Sequence, residues 1–465
     1  MSVTPTNSRR PLLNALAALL LVVLVASSAT AQERNPVILI PGLTGSELVD
    51  KKTGERVWFK TRRSRSEDLR LPLSLDVSKT GDNLEATDVL RNVKIGPFPV
   101  VDVYGGFIRA MEQRAGYREE KWDSPSEDAG ENSLFIFPYD WRLDNVANAR
   151  RLVRQVESVK IKLNKPDLKF DVVAHSMGGI ITRYAVMYGD AELQMGRTEP
   201  KPTFAGSKHF DKVVLLGTPN EGSHLALGSL IDGFRLGGLR IDLPWAQDTS
   251  KFMVFTVPSA YQLLPAPGTF RVFDDKLDPI QVDIYDPKSW TKYGWNPIQD
   301  KGFTSRFDRD ETKIADRFFA AALARAKRLH EALAAAKGSS GETTFFPVGS
   351  DCKTGIDAVI VHRNGSGSWK TLFRPKGFTR DDGYKYSDDE LRKVMQVPGD
   401  GVVTARSLEA ASQAESLKVS SVYAGAPTKF VCEDHHKLAA NSRIQDYVIS
   451  VLAGKVATDA EIGRR

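Results

Sequence analysis

Histidine and cysteine are scarce in this chain, with seven and two residues respectively among 465. Two cysteines, Cys352 and Cys432, are too few for a disulfide scaffold. They cannot by themselves build a structural zinc site, and no His/Cys spacing supports a metal centre. After the first 31 residues no apolar run is long enough to cross a bilayer. A strong charge of one sign is missing too: the formal net charge is +6, spread along the chain. The one dense basic run, "KTRRSR" at 60–65, reads as a solvated face, with contact to an anionic lipid surface as the alternative. Modest charge and the lack of a binding motif argue against a nucleic-acid role. There is no internal repeat.

What is present fits a large globular protein. The chain is 41% hydrophobic and 26% charged, enough to bury a core without disulfides. Its length suits two or three average domains, or one large α/β domain with insertions. The N-terminus reads as an export signal: Arg9 and Arg10, an apolar stretch over 12–26, then "SSATAQE" with small residues at Ala29 and Ala31. "SRRPLL" weakly resembles a twin-arginine signal, although paired arginines are common in ordinary signals. A signal peptide over 1–31 makes residues 32–465 an exported protein, periplasmic or secreted, soluble and touching membranes only at a surface. In that compartment Cys352 and Cys432 are a candidate disulfide pair, with two free thiols the alternative.

"PVILIPG" reads as a buried strand ending in a glycine turn. Residues 50–100 look like an irregular excursion. A helix closed by Gly116, a strand in "SLFIFPYDWR", a helix over 145–163 and a strand in "LKFDVVAHS" follow. "KVVLLGTPNEGS" is another apolar strand with a glycine-rich turn. Strand–helix alternation of this kind implies α/β architecture, a mostly parallel central sheet with helices on both faces. From 224 to 310 the regularity fails, and Pro, Gly, Trp and Tyr are frequent, which suits a cap inserted over the sheet. A long amphipathic helix then carries Ile314, Phe318, Ala322, Leu329 and Leu333 near helical spacing. "TTFFPVGS" resumes the sheet, and "DAVIVHRNGSGSWKTLF" predicts a hairpin. "VSSVYAG" predicts a last strand, residues 441–453 a closing helix, and the tail after 454 is expected to fray.

The chemistry centres on "FDVVAHSMGGIITRY". A serine between a strand and a helix, flanked by small residues, has the pattern of a nucleophile elbow, with Ala174 in place of the first glycine. Such a hydroxyl needs a base, a group to orient the base, and donors for the developing oxyanion. His175 adjoins Ser176 but a sharp elbow points it away, so it reads as packing or wall. The base should come last in the chain, which leaves His435 and its alternative His436. His435 is preferred because Leu438 can begin the apolar face of the closing helix. Asp400, in a Gly-Asp-Gly turn, fits the acid, with Asp190 as the alternative. The oxyanion donors should be the amides of Met177 and, from the "PGLTGS" turn, Leu43.

With these parts in order, the chain resembles the lecithin:cholesterol acyltransferase family of α/β-hydrolases. The matching stretches are "PVILIPGLTGSEL", "FPYDWRLDN", "VVAHSMGGIITRY", "LLGTPNEGS", "PSAYQLLP", "GDGVVTARS" and "DHHKL". The resemblance implies Ser176 as nucleophile, Asp400 as acid, His435 as base, and Leu43 and Met177 at the oxyanion. It places Tyr139, Asp140 and Trp141 near the substrate groove. It also implies a cap and a small membrane-contacting subdomain, drawn from 224–310 and 50–100. Animal members carry an early disulfide loop, whereas this chain has no cysteine before 352. The implied activity is acyl transfer or hydrolysis on lipid acyl esters, chiefly glycerophospholipids, to water or an alcohol, with no metal or organic cofactor. A water-only lipase or esterase of the same fold, or an inactive lipid-binding relative, are the competing expectations.

Overall fold

Strands buried on both faces need a continuous apolar run, and "VILI" and "FDVVAH" supply one. The computed structural model describes residues 34–60, 68–94, 101–196, 198–234, 249–335, 342–410 and 428–455. Its central sheet has seven strands: β1 (Val37–Ile40), β2 (Arg118–Glu120), β3 (Ser133–Ile136), β4 (Phe170–His175), β5 (Phe210–Leu216), β6 (Thr344–Gly349) and β7 (Lys429–Phe430). Their spatial order is β7-β6-β5-β4-β1-β3-β2, and every neighbouring pair is parallel. This is the α/β-hydrolase fold.

Side-chain alternation divides the core into two layers. Ile38 and Ile40 of β1, Val172 and Ala174 of β4, and Val213 and Leu215 of β5 face one layer. It is filled from helices Asn145–Lys162, Met177–Tyr188 and Arg309–Ala334. Val37, Leu39, Val173, Val214 and Leu216 face the other, with helices Gly105–Ala115 and Ser442–Leu452. The helix boundaries follow local chemistry. Asp144 caps Asn145–Lys162 by accepting from the amides of Val146 and Ala147. Asp308 and Glu311 form a reciprocal capping box that starts Arg309–Ala334, five residues before Ile314, the first residue of its hydrophobic pattern.

The excursion over 50–100 is less irregular than its sequence indicates. Ser46–Asp50, Arg56–Trp58 and Leu84–Val89 form a small antiparallel sheet. In Leu84–Val89 half-buried positions alternate with exposed Glu85 and Thr87, a weaker signal than the apolar runs of the main sheet. Within 224–310 lie the helices His224–Asp232, Lys251–Phe255, Pro258–Tyr261 and Pro287–Tyr293. Val359–Arg363 and Trp369–Leu372 form the expected hairpin. That hairpin joins Val272–Phe273 from the 224–310 stretch rather than the central sheet. Among the described residues no helix is long and apolar enough to cross a membrane. The expected signal peptide, most of the basic run 60–65, the "VSSVYAG" strand and the tail lie outside the described residues.

Candidate active site

Ser176 sits at the turn between β4 and helix Met177–Tyr188, with φ 53° and ψ −123°. A non-glycine residue held there costs about 1–3 kcal/mol, and the surroundings must fix it. They do: the Ser176 amide donates to the Leu216 carbonyl at 2.8 Å, and the Gly179 amide to the Ser176 carbonyl at 2.9 Å. Small residues are needed on both sides. A Cβ on Gly178 would lie 2.6 Å from the Pro41 carbonyl oxygen, and one on Gly179 1.9 Å from Thr218 Oγ1. Gly179 thus admits Thr218, on the turn following β5.

The sheet brings three distant side chains to the carboxyl ends of its strands, where α/β folds place their ligands. His435 Nε2 lies 2.8 Å from Ser176 Oγ, although 259 residues separate them. His435 Nδ1 lies 2.7 Å from Asp400 Oδ2. The other Asp400 oxygen accepts from the amides of Val402 at 2.9 Å and Val403 at 2.7 Å. All three residues are buried. The carboxylate accepts Nδ1–H, so Nε2 is the acceptor facing the hydroxyl. Gly217, with φ 56°, makes room for the pair: a Cβ there would lie 2.9 Å from Asp400 Oδ2 and 3.1 Å from His435 Nδ1. His436 is exposed. Asp190 is exposed as well, and its carboxylate pairs with Arg150 and Arg154.

Leu43 and Met177 stand at the ends of β1 and β4. Among the described residues neither amide has a hydrogen-bond acceptor, whereas the neighbouring Gly42 amide donates to Tyr104 Oη at 2.8 Å. Tyr139 is buried and its hydroxyl donates to the Pro41 carbonyl at 2.9 Å, bracing this turn from below. Asp140 forms a bidentate pair with Arg142, which also binds Asp82 from the excursion. The Trp141 indole packs edge-on against Trp58 and Phe234, with ring centroids 5.3 and 6.0 Å away.

Cys352 and Cys432 form a disulfide with Cα atoms 4.8 Å apart. Tyr104 carries no sequence signal of its own, yet its hydroxyl lies 2.8 Å from His175 Nδ1. His175 is not merely wall: its Nε2 lies 3.0 Å from the His435 carbonyl oxygen. Burial, then the neighbouring His435, push His175 down to about 3, so its ring is neutral. A pocket of about 200 Å³ opens beside the Asp400 turn, lined by Glu221, His224, Arg271, Asp357, Thr404 and Arg406 among others. Ser176, His435, Leu43 and Met177 do not line it. Among the described residues no three His, Cys, Asp or Glu side chains are grouped to hold a metal ion.

A search of curated proteins gives no match. Among solved structures, the Tle4–Tli4 complex contains a chain that superposes with a TM-score of 0.58 at 16% identity, covering 91% of this chain and 99% of that one. Bacillus licheniformis lipase BlEst2 in its mature form gives a TM-score of 0.33 at 13% identity, with 90% and 93% coverage. EstA from Clostridium botulinum gives 0.33 at 13%, with 93% and 90% coverage. At such identities the likeness is one of fold, and it is the first of these that carries it. Residues 126–313 match the lecithin:cholesterol acyltransferase family profile, a span that holds Ser176 and Tyr139–Trp141 and ends before Asp400 and His435. An α/β-hydrolase fold thus carries, over residues 126–313, a match to the lecithin:cholesterol acyltransferase family model.

Proposed function

We propose that this protein is an exported serine enzyme that cleaves lipid acyl esters through an acyl-enzyme and passes the acyl group to water or an alcohol. The observation that carries the reading is the unbroken line from Ser176 Oγ through His435 to Asp400, at 2.8 and 2.7 Å. Ser176 Oγ attacks the ester carbonyl while His435 Nε2 takes its proton. Negative charge develops on the former carbonyl oxygen, where the amides of Leu43 and Met177 donate to it. Asp400 holds Nδ1–H, fixes the tautomer, and stabilises the imidazolium. The ester C–O bond then breaks, and His435 returns the proton to the departing lysolipid or alcohol. In the second half His435 takes a proton from water or an acceptor alcohol, whose oxygen attacks the acyl-Ser176 carbonyl; the acyl C–Oγ bond breaks and His435 returns the proton to Ser176 Oγ.

Glycerophospholipid is the proposed donor, on the family likeness of residues 126–313. The 50–100 excursion is proposed to meet the lipid surface, and the 224–310 cap to cover the acyl chain. Export after cleavage at Ala31 agrees with the Cys352–Cys432 disulfide, a bond of oxidising compartments.

Ser176→Ala is expected to lower turnover of a labelled phospholipid roughly a million-fold with unchanged far-UV circular dichroism. Retained turnover would discard Ser176 as the nucleophile. The same phospholipid supplied with a sterol or fatty alcohol separates the two fates. New ester means transfer, and free fatty acid alone means hydrolysis.

A further inference from the structure

One hydrogen-bond chain links the two halves of the site, and its directions follow from donor counting. The Gly42 amide can only donate, so at 2.8 Å Tyr104 Oη accepts from it. The His435 carbonyl can only accept, so at 3.0 Å His175 Nε2 must carry a proton. His175 Nδ1 is then the unprotonated nitrogen, and it accepts the Tyr104 O–H at 2.8 Å. Tyr104 and His175 each accept one hydrogen bond and donate one. Tyr104 and His175 are both buried, with 2% and 7% of their surfaces exposed. One end of the chain is the backbone next to Leu43; the other is the backbone of the base itself.

We infer that His175 and Tyr104 are positioning residues, which hold the oxyanion turn and the His435 backbone in register across the nucleophile. This rests on the acyl-enzyme reading above. The physical need is plain. Leu43 reaches the site on the turn after β1, and His435 on a separate loop beyond β7. Both must meet Ser176 to within a few tenths of an ångström, since a misplacement of about 1 Å can cost a hundredfold in rate. His175 precedes the nucleophile in the chain, so it is fixed by the same elbow. A Cβ on Gly42 would lie 2.9 Å from Ser176 Cβ and 3.1 Å from His175 Nδ1, which shows how closely the turn is seated on it. A neutral ring also suits the task. The His175 and His435 ring centroids are 5.0 Å apart. A charged His175 would repel the imidazolium that His435 becomes during the reaction.

The test compares full-length Tyr104→Phe, His175→Phe and His175→Gln enzymes with wild type, using a soluble acyl ester and a fluorophosphonate probe. Glutamine carries both an acceptor and a donor, so it can replace the imidazole between Tyr104 and the His435 carbonyl. Expected are a kcat about 10-fold lower for Tyr104→Phe and about 100-fold lower for His175→Phe. His175→Gln should recover at least 10-fold of the latter loss. KM should change less than about threefold throughout, and probe labelling of Ser176 should slow in parallel with kcat. Tyr104→Phe removes one oxygen atom and preserves the ring, so it reports even if His175→Phe does not fold. A folded Tyr104→Phe enzyme with wild-type kcat, or equal losses in His175→Phe and His175→Gln, would overturn the inference. Wild-type protein that neither labels at Ser176 nor turns over ester would instead bring down the acyl-enzyme reading, and the inference with it.

Discussion

Asp400 and His435 are joined twice, through their side chains at 2.7 Å and through the His435 amide and Asp400 carbonyl at 3.0 Å. The second bond ties the His435 main chain to that of the acid, so the carboxylate is left to choose the tautomer and to stabilise the imidazolium. In Asp400→Asn the amides of Val402 and Val403 still need an acceptor, and they will keep the amide oxygen. The amide nitrogen then faces His435 Nδ1 and donates to it, which moves the ring proton to Nε2 against Ser176. We expect kcat to fall about 10⁴-fold with KM little changed. Steady-state kinetics at neutral pH measures this. A loss under tenfold would remove Asp400 from the acid's role.

The disulfide acts at the same place. Cys432 lies three residues before His435, and the Cys352 carbonyl accepts from the Gly399 amide at 2.7 Å, beside Asp400. Reduction should cost about 2–5 kcal/mol, the range for a bridge closing a long loop; this one spans 80 residues. Urea unfolding with and without reductant gives the number. In the reduced enzyme, ester turnover should vanish at a lower urea concentration than the tryptophan fluorescence change. Coincident transitions in both forms would show that the bridge does not serve the site locally.

Gly179 tests how tightly the elbow is packed. The 1.9 Å approach of its missing Cβ to Thr218 Oγ1 leaves no room for a methyl group. Gly179→Ala should destabilise the fold by about 1–3 kcal/mol through overpacking. Adding Thr218→Gly should recover more than half of that, as read from chemical denaturation. Failure of the second change to help would place the strain elsewhere.

Stability should fall as the medium is acidified below pH 6.5. Burial pushes His175 down to about 3 and His209, His224 and His330 each to about 4. Their neutral forms favour the fold above the unfolded value, and that contribution is lost as pH drops from 6.5 toward 4. His436 is lowered as well and acts in the same sense. Asp171 opposes them: burial raises it to about 6, so its protonation on the way down favours the folded state. Four histidines against one aspartate leave a net uptake of about three protons on unfolding near pH 5. Denaturation midpoints between pH 4.5 and 7 check the slope. A flat profile would mean these rings are hydrated or charged in the native protein.

Much of this arrangement is legible in the chain because it depends on local pattern. Apolar runs buried on both faces mark β1, β4 and β5. The small residues around Ser176 mark the elbow, and chain order points to Asp400 and His435. The short strands of 50–100 escape the reading, since a small sheet with one wet face gives weak alternation. The pairing of the 359–372 hairpin with Val272–Phe273 escapes it too, because nothing local says which edge a hairpin joins. Tyr104 is the clearest case. A tyrosine before a glycine-rich helix start is unremarkable until two partners from other elements close on its hydroxyl.

The amino-acid order alone determined a doubly covered parallel sheet and a serine forced into a tight turn, because steric fit and hydrophobic burial act over a few neighbouring residues. Folding in three dimensions decided which histidine meets that serine, which carboxylate meets the histidine, and that His175 reaches His435 from 260 positions away. Hydrogen bonds of this kind are set by tenths of an ångström between segments that share no local pattern, so only the packed chain selects them.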